Sequence, residues 1–257
     1  MDDTVRTFYD QFADTYHLIF LDWQASIARQ AEVLDRLIHD ALGPGPHTVL
    51  DCACGIGTQA IGLARLGHRV HGTDLSPVAV ARAEQEATAA GASLTFGVAD
   101  MRDLADQVPG IVEVVIACDN ALPHLPTADD LRLATANMAR KLRPGGLLLA
   151  SIRDYDQLVQ LRPTSEMPRV LDGPGGRRVT FQVWDWAPDG QRYRLHQFLL
   201  RPKEQGWQTD HFETEYRALL RGDLTAALQT AGLEQVRWFD PEESGYYQPV
   251  VTARAPG

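Results

Sequence analysis

The stretch Val49-Leu50-Asp51-Cys52-Ala53-Cys54-Gly55-Ile56-Gly57-Thr58-Gln59-Ala60-Ile61 decides the fold. An apolar run ends at Asp51, a glycine turn follows, and a helical pattern opens at Thr58. Gly55 and Gly57 carry no Cβ, so the backbone there can turn tightly and lie against a ligand. The helix expected over about Thr58 to Leu66 points its unpaired N–H groups back at the turn. A second strand, Arg69 to Thr73, leads to Asp74, 23 residues after Asp51. An acidic residue at about that distance can hydrogen-bond both hydroxyls of a ribose. The pattern describes a nucleoside cradle at the carboxyl edge of a parallel sheet.

Working outward, the βα alternation is regular. Strands are expected at Thr48–Asp51, 69–73, 94–98, 112–118 and 147–152, separated by helices near 58–66, 77–90 and 127–142. Ser76-Pro77 reads as a helix start, and Gly67 and Gly91 as stops. Strands separated by helices form a doubly wound, mostly parallel sheet, whose ligands sit past the carboxyl ends of the strands. Asp51, Asp74, Asp100, Asp119, Asn120 and Arg153 all fall on that edge.

Both flanks differ from this core. Residues 1–46 carry Phe8, Tyr9, Phe12, Tyr16 and Phe20 at helical spacing, then an amphipathic helix from Trp23 to Leu42 closed by Gly43-Pro44-Gly45-Pro46. This is expected to be a helical lid segment. Residues 47–156 form the α/β core. From 157 to 217, a loop-like stretch (158–176) precedes three alternating runs, 179–186, 193–200 and 207–216, with Asp189-Gly190 as a hairpin turn. These are expected to be an antiparallel insertion over the active site. Residues 218–257, with a helix capped by Asp223 and a final strand pair, complete the core sheet as its sixth and seventh strands.

Composition narrows the partners. Lys and Arg total 24 against 34 Asp and Glu, a net charge of −10, which argues against a broad nucleic-acid face. Cys52, Cys54 and Cys118 sit at strand ends and read as buried free thiols of a reducing compartment. The Cys52-x-Cys54 spacing has no accompanying His cluster, so no metal is expected. With no secretory pattern and no 18-residue apolar run, a cytoplasmic protein without a membrane span is expected.

The run Asp51-x-Ala53-Cys54-Gly55-x-Gly57-Thr58 resembles the first motif of class I S-adenosylmethionine (SAM) dependent methyltransferases, which implies a Rossmann-like methyltransferase fold with a seven-stranded sheet. Three further segments are similar to the glycine and sarcosine N-methyltransferases and their small-molecule relatives. They are Ala117-Cys118-Asp119-Asn120-Ala121-Leu122-Pro123-His124-Leu125-Pro126, Arg143-Pro144-Gly145-Gly146 and Ser151-Ile152-Arg153-Asp154-Tyr155-Asp156. The similarity covers about residues 5–160. The cofactor it implies is SAM, with S-adenosylhomocysteine as product.

Each part of SAM needs a different partner. Asp74, with Leu75 beside it, suits the ribose; Asp100 and Met101 suit the adenine; the backbone at Ala53, Gly55 and Gly57 suits the amino-acid end. Asp51 can face a cationic or hydrogen-bonding group, and Cys118 ends the strand beside the methyl group. The resemblance further implies that Arg29 binds the SAM carboxylate and that Tyr9 or Tyr16 closes the lid. It places Arg153 on an acceptor carboxylate, Asn120 on the acceptor, and Tyr155, Tyr216 and Tyr247 around it. Asp119 departs from the family's glycine; it could hold a cationic amine or, like His124, take its proton.

The expected function is methyl transfer to a small polar acceptor, foremost the amine of a carboxylate-bearing compound. The alternatives are O-, C- or N-methylation of a natural product or amino sugar and, since Ala60 completes G-x-G-x-x-A, an NAD-linked oxidoreductase. No N/D-P-P-Y/F run follows strand four, which argues against a flipped base as target.

Overall fold

The computed structural model describes residues 3–257, so the first two residues of the expected 1–46 lid segment lie outside it. Among the described residues eleven strands form two sheets. Strands β1 (Thr48–Asp51), β2 (Arg69–Asp74), β3 (Thr95–Val98), β4 (Val112–Ala117), β5 (Leu142–Ser151), β10 (Glu234–Phe239) and β11 (Val250–Arg254) make a seven-stranded sheet in the order β10-β11-β5-β4-β1-β2-β3. The pairs among β1 to β5 are parallel, and β11 runs antiparallel to β5 and β10. Strand order reverses between β1 and β4, which opens a crevice at their carboxyl ends.

Apolar side chains on both faces of these strands explain their burial. Val49, Val114, Ile116, Leu147 and Leu149 pack on Leu34 and Ile38 of helix α2 (Trp23–Leu42) and Leu63 of α3 (Thr58–Arg65). On the other face Leu50, Val115 and Leu148 pack with Met138 of α6 (Ala128–Lys141) and Leu224 and Leu228 of α8 (Arg221–Thr230). Side-chain caps set the helix starts. Ser76 accepts from the Ala79 N–H at α4 (Pro77–Ala89), Asp22 from Ala25 at α2, and Thr127 from Asp130 at α6. At α8 the expected cap fails: Leu220 takes that position, and Asp223 lies inside the first turn, paired with Arg217 at 3.2 Å.

Short helices α1 (Asp3–Phe12), α5 (Leu104–Gln107), α7 (Tyr155–Leu161) and α9 (Pro241–Ser244) complete the set. Strand β5 starts earlier than expected. Its register slips between the Val112–Leu142 and Val114–Leu147 pairs, so the Arg143–Gly146 run loops out within it.

The second sheet is antiparallel, in the order β6 (Arg169–Gly173), β7 (Gly176–Trp186), β8 (Arg192–Pro202), β9 (Trp207–Arg217). Its inner face presents Trp184, Tyr193, Leu195 and Tyr216 to the core of the main sheet. The 158–176 region is more regular than a loop. Asp154 caps α7 through the Gln157 N–H, and β6 forms an edge strand bracketed by Pro168 and Pro174, where proline costs no ladder bond. No helix of the described residues is long and apolar enough to cross a membrane.

Candidate active site

A cleft with roughly 1000 Å³ of empty space, its mouth included, opens at the carboxyl ends of β1, β2 and β4. Its wall includes Ala53, Gly55, Asp74, Leu75, Asp100, Met101, Cys118, Asp119 and His124, with Tyr9 and Tyr16 as cover. These expected site residues therefore meet around one cavity.

The glycine turn is built for close approach. Gly55 (φ 52°) and Gly57 (φ 94°) are left-handed. A Cβ at Gly57 would lie 2.8 Å from Ile61 Cδ1, whereas one at Gly55 would enter open space. Gly57 thus lies behind the wall and sets the turn, while Gly55 leaves room in the cleft.

The Gly55 N–H donates to Asp74 Oδ2 (2.8 Å) and the Ser76 N–H to Oδ1 (2.9 Å). Each oxygen keeps a lone pair for a diol. Burial raises the Asp74 carboxyl, against the lowering by these N–H groups. Asp51 is 1% exposed and lies under the turn rather than in the wall. Its Oδ1 accepts from the Ala53 N–H at 3.3 Å, but its Oδ2 has no partner, and burial raises its pKa to about 7. An unpaired buried carboxylate oxygen calls for a donor or a cation.

Asp100 is fixed by Arg102, whose Nη2 donates to Oδ2 at 2.7 Å and whose Nη1 reaches Asp130 at 2.9 Å. Burial pushes the Asp100 pKa up, yet the Arg102 hydrogen bonds and charge outweigh it and hold it below its usual value. Arg102, Thr58 and Gln59 also line the cleft and were missed in the sequence. The first turn of a helix after a glycine turn was the available signal. Trp23 Nε1 donates to Thr58 Oγ1 at 3.0 Å, and Gln59 Nε2 to Gln30 Oε1 at 2.7 Å.

Arg29 requires correction. It is exposed on α2 and does not line the cleft; one residue on, about 100° around the helix, Gln30 is buried and faces Gln59.

At the tip of β4 two consecutive residues, Asp119 (φ 58°) and Asn120 (φ 64°), adopt left-handed backbone. Asp119 accepts from Tyr16 Oη at 2.7 Å and from the Tyr247 hydroxyl. Burial, then the Asp119 charge, holds the Tyr16 hydroxyl well above its usual pKa, so it remains a donor. Asn120 is buried outside the wall; its Oδ1 accepts from the Arg153 N–H at 3.1 Å, and its Nδ2 has no partner. His124 Nε2 lies 2.8 Å from Tyr9 Oη, and its Nδ1 is unpartnered. Burial and then the Arg153 charge lower the His124 pKa to about 3. A neutral imidazole of that pKa is a weak proton acceptor.

Arg153, Tyr155 and Tyr216 lie one layer behind the wall. The Tyr216 ring packs on His124 with centroids 4.1 Å apart, and the Arg153 guanidinium sits 5.6 Å from Tyr216 and 4.8 Å from Trp184. Arg153 donates to Tyr193 Oη (3.1 Å) and Gln182 Oε1 (3.0 Å), and Tyr155 Oη lies 3.0 Å from Tyr193 Oη. Arg153 forms no ion pair among the described residues, and the Glu166 charge acts on it from farther off. Gln182, Trp184 and Tyr193 are further residues of this box. Sequence alternation put them on a strand, but only the fold puts them beside Arg153.

Residues 49–146 match the model of a methyltransferase domain. A glycine/sarcosine N-methyltransferase of Parasynechococcus marenigrum (strain WH8102) is 30% identical over 155 residues, 60% of this chain and 54% of that protein. The chain thus spans about half the length of that relative. Another from Halorhodospira halochloris is 26% identical over 78% of this chain and 76% of its own length. The crystallised sugar N-methyltransferase KedS8 from Streptoalloteichus sp ATCC 53650 superposes with a TM-score of 0.74 at 22% identity, covering 90% of this chain and 88% of its own. The stretch from β1 to the Arg143–Gly146 loop, whose carboxyl edge forms the cleft on this doubly wound sheet, is thus similar to a methyltransferase domain.

Proposed function

We propose that the protein transfers the methyl group of SAM to the amine of a small polar acceptor. The observation that carries this is the meeting, around one aromatic-covered cleft, of the Asp74 carboxylate, the Asp100–Met101 pair, the open Gly55 turn and Asp119. Asp74 would hold the ribose, Asp100 and Met101 the adenine, and Gly55 with Gln59 the amino-acid end, above the unpaired Oδ2 of Asp51. SAM supplies an already activated methyl carbon. The protein's part is then to place donor and nucleophile in line and to exclude water, which Tyr9, Tyr16 and Ala13 of the N-terminal segment can do. Asp119 would receive the amine as a hydrogen-bond acceptor, while His124, with its pKa lowered to about 3, is poorly suited to take its proton.

For the acceptor we favour a carboxylate-bearing amine such as an amino acid. The buried Arg153 guanidinium has neutral hydrogen-bond partners but no paired carboxylate, and an acceptor carboxylate would pair with it through two parallel hydrogen bonds. Reaching Arg153 requires the Tyr216–His124 stack to part. A second reading rests on that same barrier: Asp119 faces the cleft directly, so the amine of an amino sugar could be held with no carboxylate anchor. The match to a methyltransferase domain speaks against the NAD-linked alternative. Formation of S-adenosylhomocysteine with a panel of amino acids, their amides and amino sugars tests this. Turnover of amino acids alone supports the first reading and of amino sugars alone the second, while turnover of neither class removes the proposal.

A further inference from the structure

Away from the cleft, the outer face of the antiparallel sheet carries a second chemical cluster. Strand alternation turns Trp184, Tyr193 and Tyr216 inward, which leaves Asp185, His196, His211 and Glu213 on the opposite face. Register brings them together: His196 lies opposite Glu213, and His211 pairs with Phe198, the next position but one from His196. His196 Nδ1 is 2.9 Å from His211 Nε2 and 3.5 Å from Glu213 Oε2. On its other side His196 Nε2 lies 3.1 Å from Asp185 Oδ2.

The Asp185 contact fixes the tautomer. A carboxylate accepts the Nε2–H, so Nδ1 of the neutral ring is a bare lone pair aimed at His211 and Glu213. A histidine oriented by a carboxylate on its far nitrogen is the usual outer support of a metal ligand. The donor spacings suit one as well. Bonds of about 2.0–2.1 Å in a tetrahedral shell put neighbouring donors about 3.3 Å apart, and the two measured separations bracket that value. Two imidazoles with one carboxylate select a borderline transition cation over calcium or magnesium.

We propose that His196 Nδ1, His211 Nε2 and a Glu213 carboxylate oxygen bind one divalent transition cation of zinc type, with Asp185 orienting His196 and solvent completing the shell. Binding moves the His211 proton from Nε2 to Nδ1, so no net proton need be lost from that ring. The ion would tie β8 to β9, the strand that carries Tyr216. A second grouping, Asp35, His39 and His68, is less suited. His68 Nδ1 already accepts the His47 N–H at 3.1 Å, and its Nε2 is engaged by Asp35 at 2.9 Å, so neither nitrogen is free.

The test is calorimetric titration of the metal-free protein with Zn²⁺, paired with the absorption spectrum of its Co²⁺ form. We expect one ion per chain and the intense visible bands of a tetrahedral or five-coordinate Co²⁺ site. His211→Ala should abolish both, Asp185→Asn should weaken affinity about 10- to 100-fold, and His68→Ala should leave both unchanged. All three positions lie outside the cleft, and an unaltered circular dichroism spectrum establishes that each variant is folded. Absence of stoichiometric binding by the unaltered protein, retention of it by His211→Ala, or its loss in a folded His68→Ala would overturn the assignment.

Discussion

Tyr16 donates its hydroxyl to Asp119 Oδ2 across 2.7 Å, tying the N-terminal segment to the tip of β4 directly over the cleft. Cover and floor are thus joined through the residue proposed to meet the acceptor amine. Tyr16→Phe removes that tie and leaves the ring. SAM affinity should fall about threefold to tenfold, the range for the net worth of one ordinary hydrogen bond, because the tie holds the cover and does not touch the ligand itself. Calorimetry on Tyr16→Phe, Asp119→Asn and the double variant should show less than additive losses; strict additivity would mean the two side chains act independently.

Asp74 holds the turn as well as facing the cleft. Asp74→Ala should weaken SAM binding by about 1.5–3 kcal/mol, or roughly 10- to 150-fold, for a lost charge-assisted hydrogen bond. The Gly55 and Ser76 N–H groups would lose their acceptor too. Asp74→Asn, which retains an acceptor oxygen, should lose less. Unchanged affinity in both variants would remove the ribose assignment.

Asp51 introduces a pH dependence whose sign is fixed by its environment. Burial raises its folded pKa to about 7, against about 3.9 in an unfolded chain. The folded protein therefore binds the extra proton between those values, and Asp51's contribution to stability is lost as pH rises from about 4 through 7. A cationic ligand prefers the ionised form, so SAM affinity should fall as pH drops below about 7. Thermal midpoints and SAM titrations from pH 5 to 8 should show both trends, and Asp51→Asn should flatten both. A wild-type SAM affinity independent of pH across that range would show that Asp51 does not sense the ligand.

The frame of the site was legible because it rests on local chemistry. The glycine turn, the Ser76 cap and the acidic strand ends are each set by residues a few positions apart. Asp74, Asp100 and Asp119 were therefore placed on the right edge from sequence alone. What escaped depended on distant packing. Arg29 and Gln30 differ by one helical step, and only the docking of α2 on α3 decides which faces Gln59. Likewise the ring of Tyr216 between His124 and Arg153 follows from β9 folding back over the core, which alternation along the strand cannot show. Asp223 was misread as a cap because it begins a helix-forming run, whereas the helix starts three residues earlier, with Leu220 at the cap position and Leu224 and Leu228 packed in the core.

Arg153 separates the two acceptor readings. If it grips an acceptor carboxylate, Arg153→Ala should raise KM for the acid at least tenfold while leaving KM for the corresponding amide nearly unchanged. Equal effects on acid and amide would mark the guanidinium as a structural link between Tyr193, Gln182 and Trp184.

His124 should be kinetically silent as a base. With a pKa lowered to about 3 it stays neutral at every working pH. The pH–rate profile of His124→Gln should therefore keep the shape of the parent profile, with kcat reduced severalfold at most through the lost Tyr9 contact. Disappearance of an ionisation limb in that variant would return the proton-accepting role to His124.

The most direct measurement is a crystal structure of the protein with S-adenosylhomocysteine. The ribose hydroxyls should lie within hydrogen-bonding distance of Asp74, the adenine beside Asp100 and Met101, and the sulfur turned toward Asp119 under Tyr16. Density for the ligand outside this cleft, or with its ribose away from Asp74, would contradict the account.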